Sequence, residues 1–196
     1  MTDSEPLRIT EIGPSISPIA HILREDLVPK DAVIAFIEPS KSVLDGLSFS
    51  IKADEIKSVI IQAELPNLPY GNNSQDIIVV SNVFGSPGAI AREVEFNDDP
   101  LGYIGELQKT THPWMEEIKR VVKPNGKIII LETSTPLPID AMENLCENED
   151  LQIIEKHKRD ETSKIFDPNN KIGFKFATLI QEGSNKGSYA LVLEKE

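Results

Sequence analysis

Apolar residues in this chain are concentrated in short runs that are separated by polar, turn-forming segments. Runs such as Ile77–Val80 and Ile128–Leu131 are apolar at consecutive positions, a pattern typical of strands that are covered on both faces. The runs that predict β-strands are Arg8–Ile12, Ala32–Glu38, Ser58–Gln62, Asp76–Ser81, Lys127–Glu132, Leu151–His157, Phe174–Ile180 and Tyr189–Leu193.

Helix-compatible segments separate the early strands, and they are Pro18–Glu25, Ser42–Leu47 and Pro113–Val122. In the last of these, Met115 and Ile118 have the spacing of a buried helix face, so we interpret them as core residues. Alternation of strands and helices favours right-handed crossovers and a mainly parallel sheet.

The C-terminal part has a different pattern, because strands follow one another with little helix between them after Leu151. A turn cluster at 183–187 connects Phe174–Ile180 to Tyr189–Leu193 and predicts an antiparallel hairpin at the sheet edge. We interpret 1–196 as a single domain in which the irregular segment 85–105 is a lid or an insertion.

Charge and composition narrow the classes of partner. The formal net charge is −12, which disfavours nucleic acid as a partner because phosphate contacts need clustered Lys and Arg. We expect no membrane span, no secretory signal and no metal site, since the long apolar run, the leader pattern and the Cys/His spacing that these require are missing. The expected location is therefore cytoplasmic.

Polar turns follow the predicted strands, where parallel sheets bind their ligands. Gly13 follows the first strand, and Ser15 and Ser17 come next with hydroxyls that can form hydrogen bonds. Glu38 ends the second strand about 20 residues later, the interval expected of a carboxylate that accepts hydrogen bonds from a ribose. After the third strand, Glu64 is placed to meet a base edge. Taken alone, the first turn also fits a serine-capped helix start.

The order of these segments resembles the class I S-adenosylmethionine-dependent methyltransferases. The motifs that carry the resemblance are "RITEIGPSISPIAHIL", "VIAFIEPSKSVLD", "AELPNLPYGNNSQDIIVVSNVF" and "EEIKRVVKPNGKIIILE". They are similar, in that order, to the family's glycine-rich first motif, ribose-binding acid, acid–Leu-Pro–aromatic block and Lys-Pro-Gly-Gly turn. The resemblance covers about residues 8–135, and it implies a Rossmann-like, doubly wound α/β fold: a seven-stranded sheet, mainly parallel, with an antiparallel C-terminal edge hairpin.

The resemblance also implies S-adenosylmethionine as cofactor and assigns roles by position. Ser81 and Asn82 would open toward the transferred methyl group, and Glu38 would bind the ribose. Glu64 and the backbone of Leu65 would meet the adenine. The methionine and ribose side would be lined by Glu11, Gly13, Ser15 and Ser17.

The acceptor is expected to be a small molecule or a peptide. The residues at the end of the fourth strand, Ser81-Asn82-Val83-Phe84, lack the Asn/Asp-Pro-Pro-aromatic pattern of enzymes that methylate amino groups of nucleic acids or glutamine. His112 is the candidate base if the acceptor carries a proton, and Tyr103 and Trp114 are candidate acceptor contacts.

Two functions stay open at this point. The chain is an active methyltransferase, or it is a methyltransferase-like domain that has lost its cofactor and serves as a binding or assembly module. The second alternative rests on Ser15 and Ser17, which stand where the family has glycines. A nicotinamide dehydrogenase is disfavoured, since its pyrophosphate needs those glycines to approach the helix N-terminus.

Overall fold

A computed structural model describes residues 5–14, 29, 31–51, 58–84, 100–133, 139–158 and 188–195, with the side chains of 49–50 and 100–108 excepted. Several predictions lie outside the described residues. They are the sites at Ser15 and Ser17, the helix Pro18–Glu25, residues 85–99 of the lid segment and the strand Phe174–Ile180.

The described residues form one seven-stranded sheet with the order β3-β2-β1-β4-β5-β7-β6. Its strands are β1 (Arg8–Ile12), β2 (Val33–Ile37), β3 (Ser58–Ile61), β4 (Gln75–Ser81), β5 (Val122–Glu132), β6 (Leu151–Lys158) and β7 (Tyr189–Lys195). Strands β1 to β5 are parallel, whereas β7 runs antiparallel to both of its neighbours. Strand order reverses between β1 and β4, so the predicted doubly wound α/β fold is confirmed.

Both faces of the sheet are packed, as the consecutive apolar runs require. Ile78, Val79 and Val80 of β4 are fully buried, with Ile78 and Val80 in one core cluster and Val79 in the other. Successive side chains of a strand point to opposite faces, so a strand buried on both sides needs apolar residues at every position.

Three helices are described: α1 (Lys41–Ile51), α2 (Pro100–Val121) and α3 (Ile139–Asn148). Helix α2 begins well before Pro113, where the sequence predicted its start. Proline is favoured in the first turn of a helix, which suggested a start at Pro113, yet here it lies inside a helix of 22 residues. Residues 100–105 of the predicted lid segment therefore form the first turns of α2.

The Lys-Pro-Asn-Gly motif, 123–126, lies inside β5, which begins at Val122 and not at Lys127 as the sequence predicted, and the strand's register against β4 shifts there. Asn125 has a φ of 60°, a conformation that Asn tolerates better than most residues. A Cβ on Gly126 would lie 2.8 Å from the carbonyl oxygen of Lys123 and 3.0 Å from that of Asp76. Glycine at this position therefore lets this part of β5 pack against the start of β4.

The C-terminal strands are antiparallel, as predicted, and β6 is the edge strand. The predicted hairpin partner of Tyr189–Leu193 lies outside the described residues, and the two neighbours of β7 in the sheet are β5 and β6. Strand β7 lies between β5 and β6, which explains why Tyr189 to Leu193 are all buried. Within the described residues, no helix combines the length and the apolar character that crossing a bilayer requires.

Candidate functional site

A cavity of about 470 Å³ opens at the carboxyl ends of β1, β2 and β4, where the strand order reverses. Its volume lies within the range of about 300–1,000 Å³ that is usual for small-molecule sites. The predicted site residues that line it are Gly13, Glu38, Glu64, Leu65, Ser81, Asn82 and Trp114. Residues that are far apart in the chain thus meet in one place, because parallel strands end at the same edge of the sheet.

Gly13 is required by the packing of β1 against the end of β4. Its φ is +71°, and a Cβ there would lie 2.5 Å from Cγ2 of Val83 and 2.8 Å from the carbonyl oxygen of Ser81. The Gly13 amide donates a 3.0 Å hydrogen bond to the carbonyl of Ile37. The geometry of this turn is therefore set by the two neighbouring strands.

Glu38 lies directly after β2 on the cavity wall. Its Oε1 accepts a 2.9 Å hydrogen bond from the amide of Ser40, the residue before α1. Among the described residues, the second carboxylate oxygen has no hydrogen-bond partner. The side chain is therefore held in place through one oxygen, while the other stays open to a ligand.

The 62–74 loop, which connects β3 to β4 without a helix, forms a second part of the wall. The amide of Asn67 donates to the carbonyl of Glu64 at 2.9 Å, and the Leu65–Pro66 peptide bond between them is cis. Leu65 and Leu68 are buried in the core, whereas Glu64 is exposed. The loop therefore anchors its leucines in the core and presents a carboxylate at the cavity.

Helix α2 holds this loop through an ion pair. Glu117 Oε1 accepts a 2.8 Å hydrogen bond from the Leu68 amide, and Arg120 donates to both carboxylate oxygens of Glu117 at 2.6 and 2.7 Å. Arg120 also donates to the Tyr70 carbonyl at 2.9 Å and to Asn72 Oδ1 at 2.8 Å. The hydrogen bond from Arg120 lowers the pKa of Glu117 below its ordinary value, and so keeps the carboxylate charged. Sequence reasoning missed this pair, although its spacing of three residues on a helix was a visible signal.

The 82–84 turn follows β4 and is bound to the end of β5. Asn82, with a φ of 53°, uses Oδ1 to accept from the Thr133 amide at 2.7 Å and from Thr133 Oγ1 at 3.1 Å. Buried Glu132 accepts a 3.0 Å bond from the Phe84 amide. Asn82 therefore lines the cavity while its side-chain oxygen is engaged by β5. The sequence analysis assigned no role in the site to Glu132 or Thr133. An acid that ends an apolar strand was nevertheless a visible signal, as it was for Glu38.

Trp114 is the chain's one tryptophan, and it lines the cavity from α2. Its ring packs against that of Phe84, with centroids 6.2 Å apart and planes inclined by 45°. Tyr103 lies on the same helix, but its side chain is outside the described residues. Helix α2 thus contacts the cavity through Trp114.

His112 and Glu11 do not line the cavity within the described part of the chain. Nδ1 of His112 contacts the carboxylate of Glu149, and its side chain is 54% exposed. Since His112 and Trp114 are two residues apart on a helix, their side chains lie about 160° apart around the helix axis, on nearly opposite sides. Glu11 is completely buried within β1.

Cys146 is an unreactive thiol. It is buried on α3, and burial together with the nearby Glu143 raises its pKa to about 12. A nucleophilic cysteine needs the thiolate form at neutral pH, so this residue is unsuited to covalent catalysis. In the described residues, no group of three His, Cys, Asp or Glu side chains could hold a metal ion.

No protein-family model matches the sequence, and no curated protein matches it either. Solved structures do match it. Loganic acid methyltransferase with S-adenosylhomocysteine superimposes with a TM-score of 0.66 at 12% identity, over 97% of this chain and 85% of the other. An S-adenosylmethionine-dependent methyltransferase from Methanosarcina mazei gives 0.63 at 10% identity, over 98% and 93%. This chain has the class I methyltransferase fold.

The methyltransferase fold is not restricted to one reaction among the matching structures. The [4+2]-cyclase SpnF superimposes on this chain with a TM-score of 0.59 at 13% identity, over 97% of this chain and 74% of the other. At these identities the likeness establishes the fold, while the chemistry has to be argued from the site itself.

Proposed function

We propose that this protein binds S-adenosylmethionine in the 470 Å³ cavity and transfers its methyl group to a small-molecule or peptide acceptor. The observation that carries the proposal is the meeting of the Gly13 turn, the Glu38 carboxylate and the 62–74 loop at the reversal of strand order. The likeness to S-adenosylmethionine-dependent methyltransferases, one of them with S-adenosylhomocysteine, supports it.

The charge of the cavity suits this cofactor. Its described lining contains two carboxylates, Glu38 and Glu64, and no Lys or Arg. A sulfonium cation is attracted by that charge, whereas the pyrophosphate of a nicotinamide dinucleotide is repelled. The same lining therefore favours S-adenosylmethionine over the dinucleotide cofactors that bind to related folds.

The residues fit the separate parts of the cofactor. The open oxygen of Glu38 would accept hydrogen bonds from the ribose hydroxyls, since its partner oxygen is already held by Ser40. Pro39, Val43 and Leu65 offer an apolar surface for the adenine, with Glu64 beside it. Gly13 and Ser81 would then lie along the remaining length of the cofactor, with Ser15 and Ser17 assigned to the same side by the sequence motif.

The bound cofactor supplies a methyl group that is already activated by its positive sulfur. The protein's contribution is then to orient the acceptor and to exclude water, with a base only where the acceptor carries a proton. Trp114 and Tyr103 are the proposed acceptor contacts. His112 stays a proposal as base, and it would have to leave Glu149 to act in the cavity.

Calorimetric titration of the protein with S-adenosylmethionine and S-adenosylhomocysteine tests the proposal. We expect binding to both ligands, a change in Trp114 fluorescence, and at least a tenfold loss of affinity in Glu38→Ala, since a charge-assisted hydrogen bond contributes about 1.5–3 kcal/mol. Asp45→Ala, an exposed carboxylate on α1, is the matched control and should bind normally. Absence of heat at millimolar ligand would overturn the proposal.

A second candidate is a methyltransferase-like module that does not transfer methyl groups. The observation that favours it is the pair of serines in the first turn, where the family has glycines. Affinity for S-adenosylhomocysteine separates the two functions first, because a module that has lost the cofactor gives no binding. Release of S-adenosylhomocysteine from S-adenosylmethionine in the presence of candidate acceptors then tests the transfer itself.

A further inference from the structure

The 62–74 loop is a wall of the cavity that has no regular secondary structure to stiffen it. Its contribution to the lining comes from Ala63, Glu64 and Leu65. A loop of this kind opens at low free-energy cost unless other parts of the fold hold it. A ligand that has to order a mobile wall binds more weakly, because the ordering reduces the net binding free energy.

One ion pair on α2, formed by Glu117 and Arg120, binds several residues of this loop. The Glu117 carboxylate binds the Leu68 amide, and Arg120 binds the Tyr70 carbonyl and the Asn72 side chain. The two side chains are also joined to each other through two hydrogen bonds, a paired geometry that is stronger than a single contact. The Glu117 side chain is only 12% exposed, so solvent screens this pair less than a typical surface ion pair.

Helix α2 carries both the ion pair and a residue of the cavity. Trp114 lies one turn before Glu117, and Glu117 lies one turn before Arg120, so the three side chains follow one side of the helix. Neither Glu117 nor Arg120 is among the described residues that line the cavity. Their effect on a ligand must therefore act through the loop.

We propose that Glu117 and Arg120 are positioning residues for cofactor binding, which hold the 62–74 loop in the shape that receives the adenosine half of the cofactor. This inference rests on the proposed function. The ion pair holds the loop in this shape in the ligand-free protein, so the ligand does not have to order the loop when it binds. The adjacent Glu116 is 62% exposed and lies toward His112, which makes it a matched control on the same helix.

The experiment compares Glu117→Ala, Glu117→Gln and Glu116→Gln with the unaltered protein by calorimetric titration with S-adenosylhomocysteine. We expect Glu117→Ala to weaken binding about tenfold, the size of effect expected for a lost charge-assisted hydrogen bond. Glu117→Gln should recover part of that loss, since its amide oxygen still accepts from Leu68. Glu116→Gln should bind like the unaltered protein.

Amide hydrogen exchange of the ligand-free proteins separates positioning from a purely structural role. We expect the amides of 67–74 to exchange faster in Glu117→Ala, while those of β1 and β4 are unchanged. If Glu117→Ala fails to fold, Arg120→Lys serves as the second variant, because it keeps the charge and loses the paired geometry. Unaltered affinity in the folded variants overturns this inference alone. An unaltered protein that binds no S-adenosylhomocysteine overturns the proposed function and this inference together.

Discussion

The 82–84 turn and the 62–74 loop both border the candidate cavity, but different parts of the fold hold them. The turn is bound to the adjacent strand, because Asn82 and Phe84 form hydrogen bonds with Thr133 and Glu132 at the end of β5. The loop is anchored in the core by Leu65 and Leu68 and bound to a helix, through the side chains of Glu117 and Arg120 and through backbone carbonyls of the last turn of α2, which accept from the amides of 73 and 74. The part of the site that is built into the sheet should be rigid and costly to change. The part that depends on an ion pair should be easier to perturb.

The largest effect is expected where the sheet-held side of the site is packed most tightly. Gly13→Ala places a Cβ against Val83 and the Ser81 carbonyl at a positive φ, so it should lower the free energy of unfolding by about 3 kcal/mol. Urea denaturation measures this change. Gly71→Ala is the control, because no heavy atom outside its two chain neighbours lies within 4 Å of the position that the new methyl group would take, and it should change stability by about 0.5 kcal/mol or less. Equal effects of the two substitutions would contradict the packing argument.

The next effect concerns the link between the 82–84 turn and β5. Asn82→Ala loses two hydrogen bonds from Thr133 and places alanine at a φ of 53°. We therefore expect the free energy of unfolding to fall by about 2 kcal/mol, as measured by thermal or chemical denaturation. Asn82→Gly loses the same bonds but tolerates the backbone conformation, and it should cost about 1 kcal/mol less. A Gly variant that is less stable than the Ala variant would exclude backbone strain as a cause.

The helix-held loop should make stability depend on acidity through Glu117. Its pKa is lowered in the folded protein from an ordinary value of 4.5, so its contribution is fully present above that value. The contribution is lost as the pH falls through the lower pKa of the folded state, where the carboxylate becomes protonated. Unfolding measured from pH 7 to pH 3 should show a smaller acid-induced loss in Glu117→Gln than in the unaltered protein. If the free energy of unfolding falls by the same amount with pH in both proteins, the pKa of Glu117 does not differ between the folded and the unfolded state.

The smallest effect is expected at His112, which belongs to neither wall. His112→Ala removes the contact with the Glu149 carboxylate, which is only 6% exposed, so it should lower the free energy of unfolding by about 1 kcal/mol and leave the affinity for S-adenosylhomocysteine unaltered. Thermal unfolding measures the change in stability, and calorimetric titration measures the affinity. A marked loss of affinity would place the imidazole in the site and so support its proposed role as a base.

Much of the fold could be predicted because its signals are local. Consecutive apolar residues such as Ile77–Val80 mark a strand that is buried on both faces. The pattern located the ends of the described strands to within two residues, except that β5 begins at Val122 and was predicted to begin at Lys127. Helix α2 shows where the rule fails. Pro113 is a local start signal, but the helix is continuous from Pro100 and has Pro113 in its interior.

The candidate site divides in the same way. Gly13, Glu38 and Glu64 could be found from the sequence because Gly13 and Glu38 directly follow strands and Glu64 comes three residues after one, and strand ends are visible in the pattern. Glu117, Arg120, Glu132 and Thr133 could not be assigned a role, since their partners lie about 50 residues away along the chain. The pattern also suggested that His112 is near the cleft, whereas its position on α2 turns it toward Glu149.

The amino-acid pattern alone is enough to specify a doubly wound sheet and the strand ends that form a cavity, because alternation, burial and turn chemistry act over a few residues. Which groups hold that cavity in shape depends on the folded chain. The link between Asn82 and Thr133 and the attachment of the 62–74 loop to α2 arise only when the sheet and its helix have packed, since hydrogen bonds between distant residues require atoms to meet within about 3 Å.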